Sequence, residues 1–157
     1  MEQLEKKYAG FWWRFLAYII DGLVVGVAVW AIAIPIGILI GIGAYSAASD
    51  GEINAGAAVA GIIGAALLLY ILYIVIVWLY FAILESSKLQ ASIGKLAIGL
   101  IVTDMEGNRI SFGRATGRFF GKLLSGMILL IGYIMAGLTE KKQGLHDILA
   151  GTLVWKK

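Results

Sequence analysis

The chain has 157 residues, 61% of them hydrophobic and 15% charged, with one His, no Cys and a formal net charge of +3. Soluble domains carry about 25% charged residues, so this composition and a mean hydropathy of +0.90 exclude an ordinary soluble domain and predict a single membrane-integral domain over residues 1–157. Without Cys there is no disulfide or thiolate metal site, a lone His146 argues against a transition-metal centre, and no cofactor is expected.

After Lys6, Lys7 and Arg14 comes an apolar run from Phe15 to Ala48. It is far longer than the roughly 7–15-residue core of a cleavable signal, which predicts a retained first span from about Phe11 to Ile42. Phe11, Trp12, Trp13 and Arg14 form an aromatic and basic belt at its start. Pro35 lacks a backbone donor and predicts a kink in the outer half. Asp21 is the only charged residue in the run. A carboxylate at the centre of a span is disfavoured by about 2.5–3.5 kcal/mol, so Asp21 needs a partner or a use.

Ser46–Asn54 reads as a short polar loop with Asp50 and Glu52 but no Lys or Arg. A second span is predicted over about Ala55–Leu84. Small residues line its beginning (Gly56, Ala60 and Gly64 on one ridge, Ala57, Gly61 and Ala65 on the next), and with Gly22 and Gly26 they predict close helix contact within or between copies. Glu85 closes it. Of the 13 basic residues, three precede Phe15, ten follow Glu85, and the loop between the spans holds none. The positive-inside rule then puts the N-terminus and everything after Glu85 in the cytoplasm.

Ile93–Leu100 reads as a short interfacial helix. Two strand-like runs in Ile101–Ile110 flank the turn signal Glu106-Gly107-Asn108 and predict a β-hairpin, with Gly151–Trp155 as a further strand to pair with it. Phe119–Leu138 is apolar enough for a third span, interrupted by Lys122. A full crossing would carry Lys141, Lys142, Lys156 and Lys157 outside, against the charge rule. Two helices, about Phe112–Ser125 and Met127–Glu140, dipping into the membrane and returning are the preferred reading, with a third span as the alternative.

Three pieces in order resemble the RDD family of prokaryotic membrane proteins, named for one arginine and two aspartates. They are Arg14-Phe-Leu-Ala17-Tyr-Ile-Ile-Asp21, Ile93-Gly94-Lys95 through Leu100 with the Asp104–Gly107 turn, and Leu145-His146-Asp147 through Thr152. The resemblance runs from about Ala9 to Trp155. It implies a membrane domain in which Arg14, Asp21 and Asp147 are the naming residues, and for which transport of an unidentified ligand has been suggested.

Arg14 serves either as an anchor snorkelling to phosphates or as a partner for a carboxylate. Asp21 lies seven residues on, about 10.5 Å along the axis and on nearly the same face, with Tyr18 between them. It reads either as a lock hydrogen-bonded to another helix or as an ion or proton site. Asp147 reads as a helix-start carboxylate, or as a group that folds back onto Arg14 or onto the stripe Arg114, Arg118 and Lys122. That stripe is expected at lipid headgroups. His146 supports the site, although on a helix it points about 100° away from Asp147. No Ser, His and acid arrangement is legible, and Gly117–Lys122 has the wrong spacing for a phosphate loop, so no enzyme is expected.

The expected fold is all-α and membrane-integral, with two transmembrane helices, a cytoplasmic-side interfacial helix, a small β-hairpin and a C-terminal re-entrant helical hairpin. The expected function is transport of a cation, a proton or another small ligand through a cluster of Arg14, Asp21 and Asp147. The alternative is a non-transporting module that binds a partner protein or lipid. Expected partners are membrane lipids, a second copy of the chain, and a cation or proton, but no nucleic acid. The expected location is a prokaryotic plasma membrane, with both termini cytoplasmic.

Overall fold

A computed structural model describes residues 7–51, 54–127 and 131–157. In chain order the elements are β1 (Lys7–Tyr8), α1 (Phe11–Ser49), α2 (Ala55–Ser86), α3 (Ile93–Ala97), β2 (Leu100–Asp104), α4 (Phe112–Met127), α5 (Ile131–Leu138), α6 (Leu145–Ala150) and β3 (Thr152–Lys156). Two compact units emerge, one formed by Met1–Val24 with Trp78–Lys157 and the other by Val25–Val77.

In the Val25–Val77 unit, α1 and α2 are apolar on all sides, and large side chains such as Trp30, Ile38, Leu68 and Ile71 are exposed. Helices of this kind are either core or membrane spans. Both are long and apolar enough to cross a bilayer, and α1, at 39 residues, has nearly twice the roughly 20 a span needs. The first helix runs through Pro35 to Ser49, so the polar loop is shorter than expected and starts at Asp50. Ser46-Ala-Ala-Ser49 tolerates helical geometry, and the turn comes only at Gly51, whose φ of +74° suits a residue without a Cβ. Glu52, expected in this loop, lies outside the described residues. Asn54 starts α2 by accepting a hydrogen bond from Ala57 N at 2.8 Å. A Cβ built on Gly26, Gly61 or Gly64 meets nothing within 4 Å, so the small ridges make no close contact within the described chain.

The other unit has its own core, in which Ala9, Ala17, Ala82, Leu100, Val102, Ile110, Ala115 and Val154 pack with Trp78 and Ile98. Its sheet has the order β1-β3-β2, antiparallel throughout, with Val102 opposite Val154 and Tyr8 opposite Trp155. The expected pairing of Ile101–Asp104 with the C-terminal strand forms. The expected hairpin does not. Its turn is present, with Asp104 Oδ1 accepting from Glu106 N and Asn108 N and Gly107 at φ +88°. The return run is not a strand, because β3 holds one edge of β2 and the loop residue Gln90 accepts from Val102 N at 2.6 Å on the other. Ile110 instead drops into the core and leads into α4. Helix α4 extends to Met127, past the turn expected at Gly126, and packs against α5 and α6.

Candidate functional site

Two aspartates of the resemblance sit in two different cages, both inside the unit that contains the sheet. Asp21 is 2% exposed, in the first third of α1. Its Oδ1 accepts from Tyr80 Oη on α2 and from Gly94 N, each at 2.7 Å, and its Oδ2 accepts from Ser92 Oγ at 2.6 Å. Tyr80 Oη also accepts from Ile93 N at 3.1 Å. A five-residue helix is too short to stand alone. Here α3 is docked because Asp21 and Tyr80 take up N–H groups of its first turn, which have no acceptor within the helix. Gly94 is obligatory at this approach. A Cβ there would lie 2.2 Å from Ala17 O and 2.9 Å from Asp21 Cγ.

Asp147 has ionic partners. It stands in the first turn of α6, where its Oδ2 accepts from Gly144 N at 3.0 Å, a carboxylate cap on the helix start. The same oxygen pairs with Arg14 Nη1. Its Oδ1 accepts from Arg118 Nε at 2.9 Å and Nη2 at 2.8 Å, a two-pronged contact suited to a guanidinium. Gly151, at φ +59°, ends α6 in the left-handed region and turns the chain into β3.

Arg118, 1% exposed, carries the network on, since its Nη1 donates to Glu85 Oε2 at 3.1 Å. Glu85 Oε1 pairs with Lys95 Nζ and lies 3.5 Å from Lys122 Nζ, and Lys122 sits 4.3 Å over the Phe81 ring. Arg14 is fixed by two further bonds, Nε to Ala9 O at 2.8 Å and Nη2 to Lys142 O at 2.6 Å. The result is a chain of charges, Arg14–Asp147–Arg118–Glu85–Lys95, that ties α1, α2, α3, α4 and α6 together. Four cations (Arg14, Lys95, Arg118, Lys122) face two carboxylates (Glu85, Asp147).

Burial opposes ionisation of Asp147, but Arg118 and Arg14 outweigh it and hold its carboxyl well below the usual range. Burial pushes the Lys95 ammonium down to about 7; Glu85 opposes this, and Lys122 and Arg118 add to it. Burial likewise pushes His146 down to about 3, against the raising effect of Asp147 and helped by nearby cations. His146 Nε2 lies 3.5 Å from Asp147 Oδ1, and its buried Nδ1 has no hydrogen-bond partner among the described residues.

Arg14 and Asp147 therefore come together, whereas Asp21 joins neither. The single Arg14–Asp21–Asp147 cluster is replaced by one ionic network and one neutral cage. Tyr18 does not bridge Arg14 and Asp21, because its side chain points outward and is 65% exposed. Arg118 and Lys122, expected at headgroups, turn inward because Glu85 and Asp147 offer them carboxylates. Only Arg114 of that stripe lies largely exposed, 3.8 Å from Asp104. The sequence alone does not mark Tyr80, Glu85, Ser92, Gly94 and Lys95 as site residues. The signals for them were a carboxylate and a tyrosine at the end of a span and a lysine inside a short apolar helix.

Two helices long and apolar enough to cross a bilayer, and a buried Arg–Asp network, define a multi-pass membrane protein with internal ion pairs. Residues 8–151 match the RDD family, and the chain belongs to that family. It is 42% identical to the uncharacterized protein YxaI of Bacillus subtilis (strain 168), over 95% of this chain and 97% of that one. It is 26% identical to the uncharacterized membrane protein YteJ of the same organism, over 98% of this chain and 84% of that one. No solved structure matches.

Proposed function

We propose that this chain is a non-catalytic protein of a prokaryotic plasma membrane that exchanges a proton or a small monovalent cation at Asp21. One observation carries the reading. Asp21 is buried in a membrane helix and held by three neutral donors, and among the described residues no Lys, Arg or His forms an ion pair with it. An intramembrane carboxylate without an opposing charge is the kind of group that takes up a proton or cation. Two of its donors, Tyr80 Oη and Ser92 Oγ, are hydroxyls that can turn their oxygens toward an incoming cation. The ionic network, with its surplus of positive charge, repels a cation and serves as the frame.

Both termini are cytoplasmic in this reading, and the network lies at the cytoplasmic boundary. The pairing of β1 with β3 supports it, because ends that share a sheet lie on one side and an even number of complete crossings follows. Helices α4 and α5 are then a re-entrant hairpin, and α3, with Ile93 and Leu96 exposed, rests at the interface. A complete pathway through so short a chain calls for a second copy.

The rival is a non-transporting module that binds a partner or lipid, favoured by the completeness of the hydrogen bonding around Asp21 and Asp147. Purified protein in liposomes, with a pH dye inside and a Na⁺ or K⁺ gradient, separates the two. Flux through the wild type that Asp21→Asn abolishes supports exchange. Absence of flux under every gradient gives the module.

A further inference from the structure

We propose that Lys95, paired with Glu85, is a proton-binding site, and that α3 links its protonation to whatever occupies Asp21. The proposal rests on the exchange reading above only for its second half.

The geometry starts from a mismatch. Glu85 is one carboxylate facing three cations, with Arg118 from α4 at 3.1 Å, Lys122 from α4 at 3.5 Å and Lys95 from α3 in contact. Arg118 has a second carboxylate in Asp147, which holds it by two bonds, and a guanidinium does not give up its proton in a protein. Lys122 is only partly buried and has the Phe81 face as a second support. Lys95 is 6% exposed, and Glu85 is its one ion-pair partner among the described residues. The surplus charge is therefore most easily shed at Lys95. Loss of its proton to water on the cytoplasmic side takes the network from +2 to +1 and leaves a neutral amine that still hydrogen-bonds Glu85. The low proton affinity that burial gives Lys95 agrees with this.

The link follows from the shortness of α3. Three positions within four residues of this segment face two acidic groups. Ser92 Oγ and Gly94 N hold Asp21, and the next residue, Lys95, holds Glu85. The close fit of Gly94 against Ala17 O leaves α3 no slack on the Asp21 side. A proton or cation at Asp21 that loosens the donors Ser92 and Gly94 must shift the Lys95 ammonium relative to Glu85. Release of the Lys95 proton acts on Asp21 by the reciprocal route. The charged groups around Lys95 are thus Glu85 on α2, Arg118 and Lys122 on α4, and Asp21 beyond α3 on α1.

The test is a pH titration of isotope-labelled lysine side chains, read by NMR on the full chain in detergent micelles, for the wild type, Lys95→Arg and Asp21→Asn. A lysine signal of the wild type should titrate at least about one pH unit below the ordinary range, and that signal should be missing in Lys95→Arg, which keeps the charge. In Asp21→Asn the same midpoint should move by at least about fivefold in proton affinity. A Lys95 signal that titrates with the exposed lysines overturns the proton site. A midpoint unmoved by Asp21→Asn overturns the link through α3. A shifted Lys95 in protein whose liposomes pass no ions upholds the proton site and removes only the transport reading.

Discussion

Asp21 and Asp147 are both fully enclosed, yet they are held in opposite ways. Asp147 meets two guanidinium groups and one backbone N–H, so its charge is answered by charge. Asp21 meets a phenol, a hydroxyl and a backbone N–H, so its lone pairs are satisfied while its charge is not answered nearby. A carboxylate locked by two arginines is a poor place for exchange, because any newcomer must displace an ion pair. One held by neutral donors can change occupant with a rotation of two hydroxyls. In the proposed reading, structure and exchange are thus divided between two residues that sequence alone makes look equivalent.

The largest test of this difference is Asp147→Ala, which strands Arg14 and Arg118 beside each other. Breaking a buried pair commonly costs about 3–5 kcal/mol, and a loss of that order is expected in chemical unfolding in detergent. A double-mutant cycle of Arg14→Ala with Asp147→Ala should show coupling of about 0.5–3 kcal/mol, while Arg14→Ala with Asp21→Ala should add within about 0.5 kcal/mol. Coupling of equal size in both cycles would mean one shared cluster after all.

Acid should act first on the Asp147 side. His146 stays neutral in the folded protein down to about 3, whereas the unfolded chain takes a proton near the ordinary value of 6.5. Between those values the unfolded state binds more protons, so stability falls as pH drops from 6.5 toward 3, by on the order of 4–5 kcal/mol. Asp147, whose carboxyl is held low, contributes stability that is present above its ordinary 3.8 and is lost below it. In His146→Gln the loss between 6.5 and about 4 should vanish, as followed by melting temperature against pH.

Two smaller effects probe the neutral cage. Gly94→Ala pushes a methyl group into Ala17 O and Asp21, with an expected loss of about 1–3 kcal/mol. Its signature is perturbed Asp21 function with the Arg14–Asp147 coupling intact. Tyr18→Phe should be close to silent, within about 0.5 kcal/mol, since its side chain points outward.

Hydropathy made the two long apolar helices legible. The basic face of α4 was equally visible at Arg114, Arg118 and Lys122. Periodicity says that such a face exists, not what it looks at. The answer came from Glu85 and Asp147, 33 and 29 residues from Arg118, and nothing local encodes those pairings. The same limit explains the sheet. Ile101–Asp104 and the C-terminal segment both read as strands, but the loop residue Gln90, which takes the free edge of β2, carries no strand signal. Asp21 lies on the first long apolar helix, where the sequence puts it. Its partners were missed because Ser92 and Gly94 contribute through a short helix whose position depends on Asp21 itself.

The central place of β3 has a consequence for how the protein is made. The strand that β1 and β2 both require follows them, and both spans, in the chain, so it is the last of these elements to leave the ribosome. Asp147 precedes it by only a few residues. Until that segment emerges, Arg14 and Arg118 sit at the membrane without the carboxylate they share, and the sheet lacks its middle. A chain cut short by premature termination would display those cations and two unpaired strand edges. A chain translated through Lys156 hides both at once, so the network and the sheet close in the same step.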